Sequence, residues 1–275
     1  MLFTFLKKNL VNFPCLRKFL KNVIIVFSSR GVVSRRCRIT QAKFQKTFLI
    51  RTCHLDNSYY GIDKIYRSAH FKDVFYEHGY FWGDIIIDAE MSKKIRKIYT
   101  ISKNRAEILK QLTTADIQVI PPYITSVDEC SITNNYLKEN LQDYTLFIPG
   151  HSTKDFTHNQ PRFHNKDNQI KLLYYIDMIR EYKTEQIPEN IACCGNINDP
   201  RFLPRLKSLI IGSKSIETDF LGTHVLYASA LGKKITFTGN WQKCRQDMKK
   251  KYMASNYISV QAFENDFEYM KGLCE

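Results

Sequence analysis

The chain lacks the signatures of most well-marked enzyme classes. It has no G-x-x-x-x-G-K-[ST] phosphate loop and no G-x-G-x-x-G dinucleotide turn. It has no G-x-S-x-G elbow and no zincin helix. No Asp-x-Asp pair is present to hold a divalent ion. Cysteines occur at 15, 37, 53, 130, 193, 194, 244 and 274, with no Cys-x-x-Cys pair among them. A zinc ribbon or disulfide scaffold is therefore not expected, and scattered thiols suit a reducing compartment. Internal repeats and low-complexity tracts are also missing. What these absences leave is a phosphate-recognising α/β protein that works without a metal.

Long apolar runs are missing too. At the N-terminus the longest unbroken run is Val23–Phe27, far short of the about 20 residues a membrane helix needs. No small-residue cleavage site follows an apolar region, so a signal peptide is not expected. Phe3, Leu6, Leu10 and Phe13 recur at helical spacing with Lys7, Lys8, Arg17, Lys18 and Lys21 between them. Residues 1–25 thus fit a basic helix on an anionic membrane, and equally an amphipathic helix docked on the protein's own core. Pro14 interrupts the helix in either case.

Acidic residues are in short supply. The chain carries 41 Lys+Arg against 27 Asp+Glu, a net charge of +14. That balance suits an anionic ligand, a nucleic acid or an anionic membrane. The basic residues are spread from Lys7–Lys8 to Lys249–Lys251 without a dominant block. No nucleic-acid partner is therefore expected. With 275 residues, 44% of them hydrophobic, the chain can bury one large core or two modest ones.

Short apolar runs alternate with helical patterns from about Val23. Val23–Phe27, Phe48–Arg51, Asp73–Tyr76, Lys97–Ser102 and Ile117–Ile120 read as strands. Lys103–Leu112 reads as a helix capped by Ser102. Thr125–Leu141 is polar with little periodicity, and the domain boundary is placed there. A second alternation follows, with strands at Tyr144–Ile148, Ile191–Cys194, Ser215–Thr218 and Ile235–Thr238. Helices are expected at Ile170–Tyr182, Phe202–Ile211 and Leu221–Leu231, the last stopped by Gly232. Gly150–Lys166 reads as a long polar loop. The tail from Trp241 is expected to be helical and to pack back across the other domain. The expected fold is α/β, with domains at 1–125 and 142–275.

Ligands of open parallel sheets bind beyond the carboxyl ends of the strands. Three polar clusters fall at such ends. Glu77-His78-Gly79 follows the strand Asp73–Tyr76. Gly150-His151-Ser152-Thr153 follows Tyr144–Ile148. Glu217-Thr218-Asp219 leads into Gly222-Thr223-His224, where a helix begins. The first N–H groups of a helix have no partner within it and suit a phosphate. Loop hydroxyls and an imidazole suit one as well. The bland alternative for either cluster is local capping. His78 could act as a base near neutral pH or bond a backbone carbonyl. Tyr80–Phe81–Trp82 fits a sugar platform or simple packing.

DPRFLPRLKSLI (Asp199–Ile210) followed by ETDFLGTHVLYASALGKKI (Glu217–Ile235) resembles the donor half of GT-B glycosyltransferases that build bacterial capsule or lipopolysaccharide chains. Phe147–Thr153 resembles the first strand and loop of that half. Glu77–Trp82 with KIYTISKNRAEIL is similar to the end of the acceptor half. The resemblance covers most of Asp73 to Gly239. It implies two Rossmann-like parallel-sheet domains facing across a cleft. The chain departs from that pattern in a short, reduced half before Asp73 and in a donor half compressed between Tyr182 and Ile191, where the family would place another strand–helix unit. It also implies a nucleotide-sugar donor, hexosyl or sialyl, and a glycan or lipid-linked acceptor. No cofactor is implied. On that analogy His151, Ser152, Thr153, Thr218, Gly222, Thr223 and His224 hold the donor phosphates. Glu217 lies near the ribose or sugar, and His78, with Glu77, is the candidate base. The implied location is cytoplasmic, on the inner face of the membrane. The alternatives are a catalytically degenerate member acting as a binding or assembly module, and a basic nucleic-acid-binding protein.

Overall fold

The computed structural model describes residues 35–44, 57, 59–80, 82, 94–149, 168–172, 189–195, 199–252 and 259–274. The expected strands Val23–Phe27 and Phe48–Arg51, the N-terminal helix and the loop Gly150–Lys166 lie outside them.

The described residues form an α/β fold with two parallel sheets. Strands β3 (Val74–Tyr76), β4 (Lys97–Thr100) and β5 (Asp116–Val119) make a three-stranded sheet in that order. Strands β6 (Thr145–Phe147), β7 (Gln169–Leu172), β8 (Ile191–Ala192), β9 (Ser215–Thr218) and β10 (Ile235–Phe237) make a five-stranded sheet ordered β10-β9-β6-β7-β8. A short antiparallel pair, β1 (Arg35–Arg36) and β2 (Lys43–Phe44), precedes both. The helices are α1 (Ile62–Ile65), α2 (Lys103–Leu112), α3 (Ser131–Asn140), α4 (Phe202–Gly212), α5 (Thr223–Ala230), α6 (Trp241–Tyr252) and α7 (Val260–Gly272). None of them is long and apolar enough to cross a membrane.

Local chemistry explains most of these boundaries. The Ser102 hydroxyl accepts the Arg105 N–H at 3.2 Å and so caps α2. Ser259 does the same for α7 through Ala262. Helix α5 stops at Gly232, whose φ of 68° is the left-handed conformation that closes helices at low cost for glycine. The Lys233 ammonium donates to the carbonyls of Ile211 and Ser213 at 2.7 Å and neutralises the end of α4.

Two expectations change. Ile170–Tyr182 was expected to be helical, but Gln169–Leu172 is a strand paired with β6 on one side and β8 on the other. A strand covered on both faces buries consecutive residues, here Ile170, Lys171 and Leu172. Such a run imitates one buried face of a helix. The rest of that expected helix lies outside the described residues. Residues 182–188, where the family would place the further strand–helix unit, lie outside the described residues. The polar span Thr125–Leu141 contains α3, which buries Thr133 and Leu137 one turn apart and packs on α4.

The core sits between the five-stranded sheet and helices α3, α4 and α5. Leu146, Ile170 and Ile216 share one face of that sheet and are essentially inaccessible. The same core runs without a break to Tyr76, Tyr80, Trp82, Ile101 and Tyr123 beside the smaller sheet. Helix α7 returns to pack on α2, as the reading of the tail anticipated.

Candidate functional site

Strand β6 is central in the larger sheet. The chain builds outward from it through β7 and β8, then crosses back to add β9 and β10. Strand order therefore reverses between β6 and β9. At such a switch point the connections leave neighbouring strands in opposite directions, and ligands of open α/β sheets bind outside the strand ends there. The residues bordering the switch point are Ile148–Pro149 after β6 and Thr218–Asp219 after β9. Two of the three clusters singled out in the sequence begin at these positions. His151, Ser152 and Thr153 themselves lie outside the described residues.

The end of β9 is tightly stitched. Ile148 N–H donates to Glu217 O at 2.8 Å. The Thr218 hydroxyl lies 2.8 Å from Ile148 O, 2.9 Å from Phe220 O and 2.8 Å from His224 Nε2. A hydroxyl has one proton. The direction of the bond between Thr218 and His224 Nε2 follows the tautomer of the ring. His224 is 2% exposed, and its ring ties the first turn of α5 to the strand end.

Gly222 has an extended backbone (φ −157°) that any residue adopts. A Cβ there would lie 3.2 Å from His224 Nδ1. The glycine thus makes room for the histidine ring, a different reason from the ligand approach inferred from sequence. Thr223 opens α5, and its hydroxyl oxygen accepts the Tyr80 N–H at 2.9 Å.

Glu217 does not join Thr218. Neighbouring strand residues point to opposite faces. Thr218 faces α5, whereas the half-buried Glu217 accepts from Gln169 Nε2 at 2.7 Å. Thr145 and Ser215, bonded at 3.1 Å, share that second face with Gln169. This polar patch lies towards the amino ends of β6, β7 and β9, where Thr145, Gln169 and Ser215 are the first strand residues, and Glu217 is tied to it.

The Glu77-His78-Gly79 cluster comes from the smaller sheet and meets α5. A Cβ on Gly79 would sit 2.7 Å from Thr223 Oγ1, so the turn after β3 touches the start of α5. Glu77 is 1% exposed, and its carboxylate accepts from Arg105 Nε at 2.8 Å. That charge is already paired inside the fold, which fits a structural role. Tyr123 donates its hydroxyl to Glu77 O at 2.6 Å. His78 is only half-buried. Its ring lies 4.6 Å from Tyr59 and 6.0 Å from Tyr60, and Tyr60 lies 4.7 Å from Phe202. The structure therefore brings His78, Thr218, Gly222, Thr223 and His224 to one region, while Glu77 and Glu217 have partners elsewhere.

The aromatic run resolves towards packing. Tyr80 and Trp82 are buried edge to face at 5.5 Å, and Trp82 lies against Phe263. Phe81 lies outside the described residues.

Several residues at this junction were not foreseen. Tyr80 donates its phenol to Asp266 Oδ1 at 2.8 Å. Burial pushes the Asp266 carboxyl up, opposed by bonds from Asn104 and Tyr80 and by the Arg105 charge. Tyr60 takes a positive φ of 56° directly before Gly61, where a Cβ would lie 2.7 Å from Pro200 Cα. Burial holds the phenols of Tyr60, Tyr123 and Tyr227 above their ordinary range. Only tertiary contact shows these roles. Among the described residues, no group of three or more His, Cys, Asp or Glu is arranged to hold a metal.

Comparison with family models, with curated proteins and with solved structures finds no significant match.

Proposed function

We propose that the chain is a nucleotide-sugar-dependent glycosyltransferase of GT-B type, acting on a surface-polysaccharide or lipid-linked acceptor at the cytoplasmic face of a membrane. The observation that carries the reading is the reversal of strand order between β6 and β9. It falls at the strand ends that lead into Gly150–Thr153 and Glu217–His224, whose hydroxyls, imidazoles and helix-start N–H groups suit a phosphate. In this reading the larger sheet binds the donor and the smaller sheet faces the acceptor across a cleft. The Thr223 hydroxyl and the first N–H groups of α5 bind the donor phosphates.

His78 removes the acceptor proton, and the phosphate-binding donors stabilise the departing nucleotide. The bond from Tyr80 N–H to Thr223 supports this division, because it ties the strand end bearing His78 to the start of α5. With Glu77 bound to Arg105, the base role falls to His78 alone. Glu217, on the polar face, is the group offered to a ribose or sugar hydroxyl. The +14 charge favours both an anionic donor and an anionic membrane.

The same pairing of Glu77 favours a second reading, a nucleotide-sugar-binding module without transfer activity. One experiment separates the two. Thermal stability is measured against nucleotides and nucleotide-sugars, with and without EDTA. Ligand at 100 times its dissociation constant should add about 2.7 kcal/mol. The transferase reading expects an EDTA-resistant shift together with sugar transfer that His78→Ala lowers about 100-fold or more. A shift without transfer supports the binding module. No shift with any ligand contradicts both.

A further inference from the structure

We infer that Tyr80 is a positioning residue that fixes the start of α5, and that Asp266 on the C-terminal helix fixes Tyr80. The ligand served, a nucleotide phosphate, rests on the function proposed above. Tyr80 is used at both ends. Its N–H donates to Thr223 Oγ1 at 2.9 Å, and its phenol donates to Asp266 Oδ1 at 2.8 Å. An oxygen that accepts at one lone pair keeps its own proton to give away. Tyr80 thus leaves the Thr223 hydroxyl free to donate to an anion at the helix start.

Gly79 permits the approach, since a Cβ there would lie 2.7 Å from Thr223 Oγ1. Tyr80 and Asp266 are both buried. Burying a carboxylate is costly unless it is well bonded, and here the bond runs to the residue that holds Thr223. Helix α7 packs on α2 of the smaller sheet. The connection therefore passes from the C-terminal helix, through the end of β3, to the start of α5.

Three variants of the full chain test this. Tyr80→Phe keeps the ring and the N–H but loses the phenol bond. Asp266→Asn keeps an acceptor oxygen for the phenol, and Asp266→Leu does not. Hydrogen exchange is followed in peptides covering the start of α5 and, as a control, β6. Dissociation constants for UDP, GDP and CMP are measured on the same samples. Tyr80→Phe and Asp266→Leu should speed exchange at the α5 start about tenfold, with β6 unchanged and Asp266→Asn close to the parent. Affinity for whichever nucleotide the parent binds should fall in the same order.

Equal acceleration in β6 and α5, or none at α5, would overturn the inference by reducing both residues to general packing. Unchanged affinity in all three variants would overturn the ligand-positioning role and leave the nucleotide reading intact. A parent that binds none of the nucleotides, with exchange still in the expected order, would uphold the positioning and overturn the nucleotide reading.

Discussion

The carboxyl ends of β3 and β9 look alike in sequence, each offering a glutamate, a glycine and a histidine, yet the fold uses them in opposite ways. At β3 the glutamate is inside, bound to Arg105, and the histidine is half-exposed beside two tyrosines. At β9 the histidine is inside, bonded to Thr218, and the glutamate emerges on a polar face with Gln169. Each end buries one ionisable group to hold its turn and presents the other. Strand parity and the nearest helix decide which group is kept inside; residue type does not.

Removing the buried partners should expose that difference. Arg105→Met leaves Glu77 charged and unpaired in the interior, and should cost about 3–5 kcal/mol in urea unfolding. Adding Glu77→Leu should recover most of it. If the single variant unfolds like the parent, Glu77 is not held as described. At β9, Thr218→Val removes the hydroxyl shared by His224 and two carbonyls, at about 1–3 kcal/mol by the same assay. A loss below the error of the measurement would mean that the His224 network contributes little to the turn.

A pH series sharpens the comparison at Asp266. Its carboxyl is raised above the ordinary 3.8, chiefly by burial. The folded protein therefore holds that proton more tightly than the unfolded chain. The stabilisation is complete below 3.8 and is lost as pH rises through the raised value. Stability of the parent relative to Asp266→Asn should fall with rising pH across that window. A flat difference would show that Asp266 is not perturbed. The smallest effect belongs to the presented carboxylate. Glu217→Gln should stay within about 0.5 kcal/mol of the parent in stability while weakening nucleotide-sugar binding.

Much of this was legible in the sequence where local chemistry and pattern agree. Lys97–Thr100 with Lys103–Leu112 was readable because a β-rich run ends in a capping serine. Ser215–Thr218 with α5 was readable because a glycine closes the helix. Strand β7 was not, because Ile170 and Leu172 run on into Leu173 and Ile176 and imitate a helix face. The site was legible as a set of loops and not as a set of contacts. Nothing local tells Glu77 that Arg105 will reach it, or links Tyr80 to Asp266, 186 residues away. The first pairing forms when α2 packs beside the end of β3, and the second only when α7 returns to α2.

The central claim is that the ligand lies outside the carboxyl ends of β6 and β9, where the strand order reverses. The most direct test is photolabelling with an azido-nucleotide-sugar, followed by mapping of the labelled peptides. The account predicts label in peptides spanning 147–153 and 217–224, competed by unlabelled nucleotide and lost in Thr223→Val. Competed label confined to other peptides would contradict it.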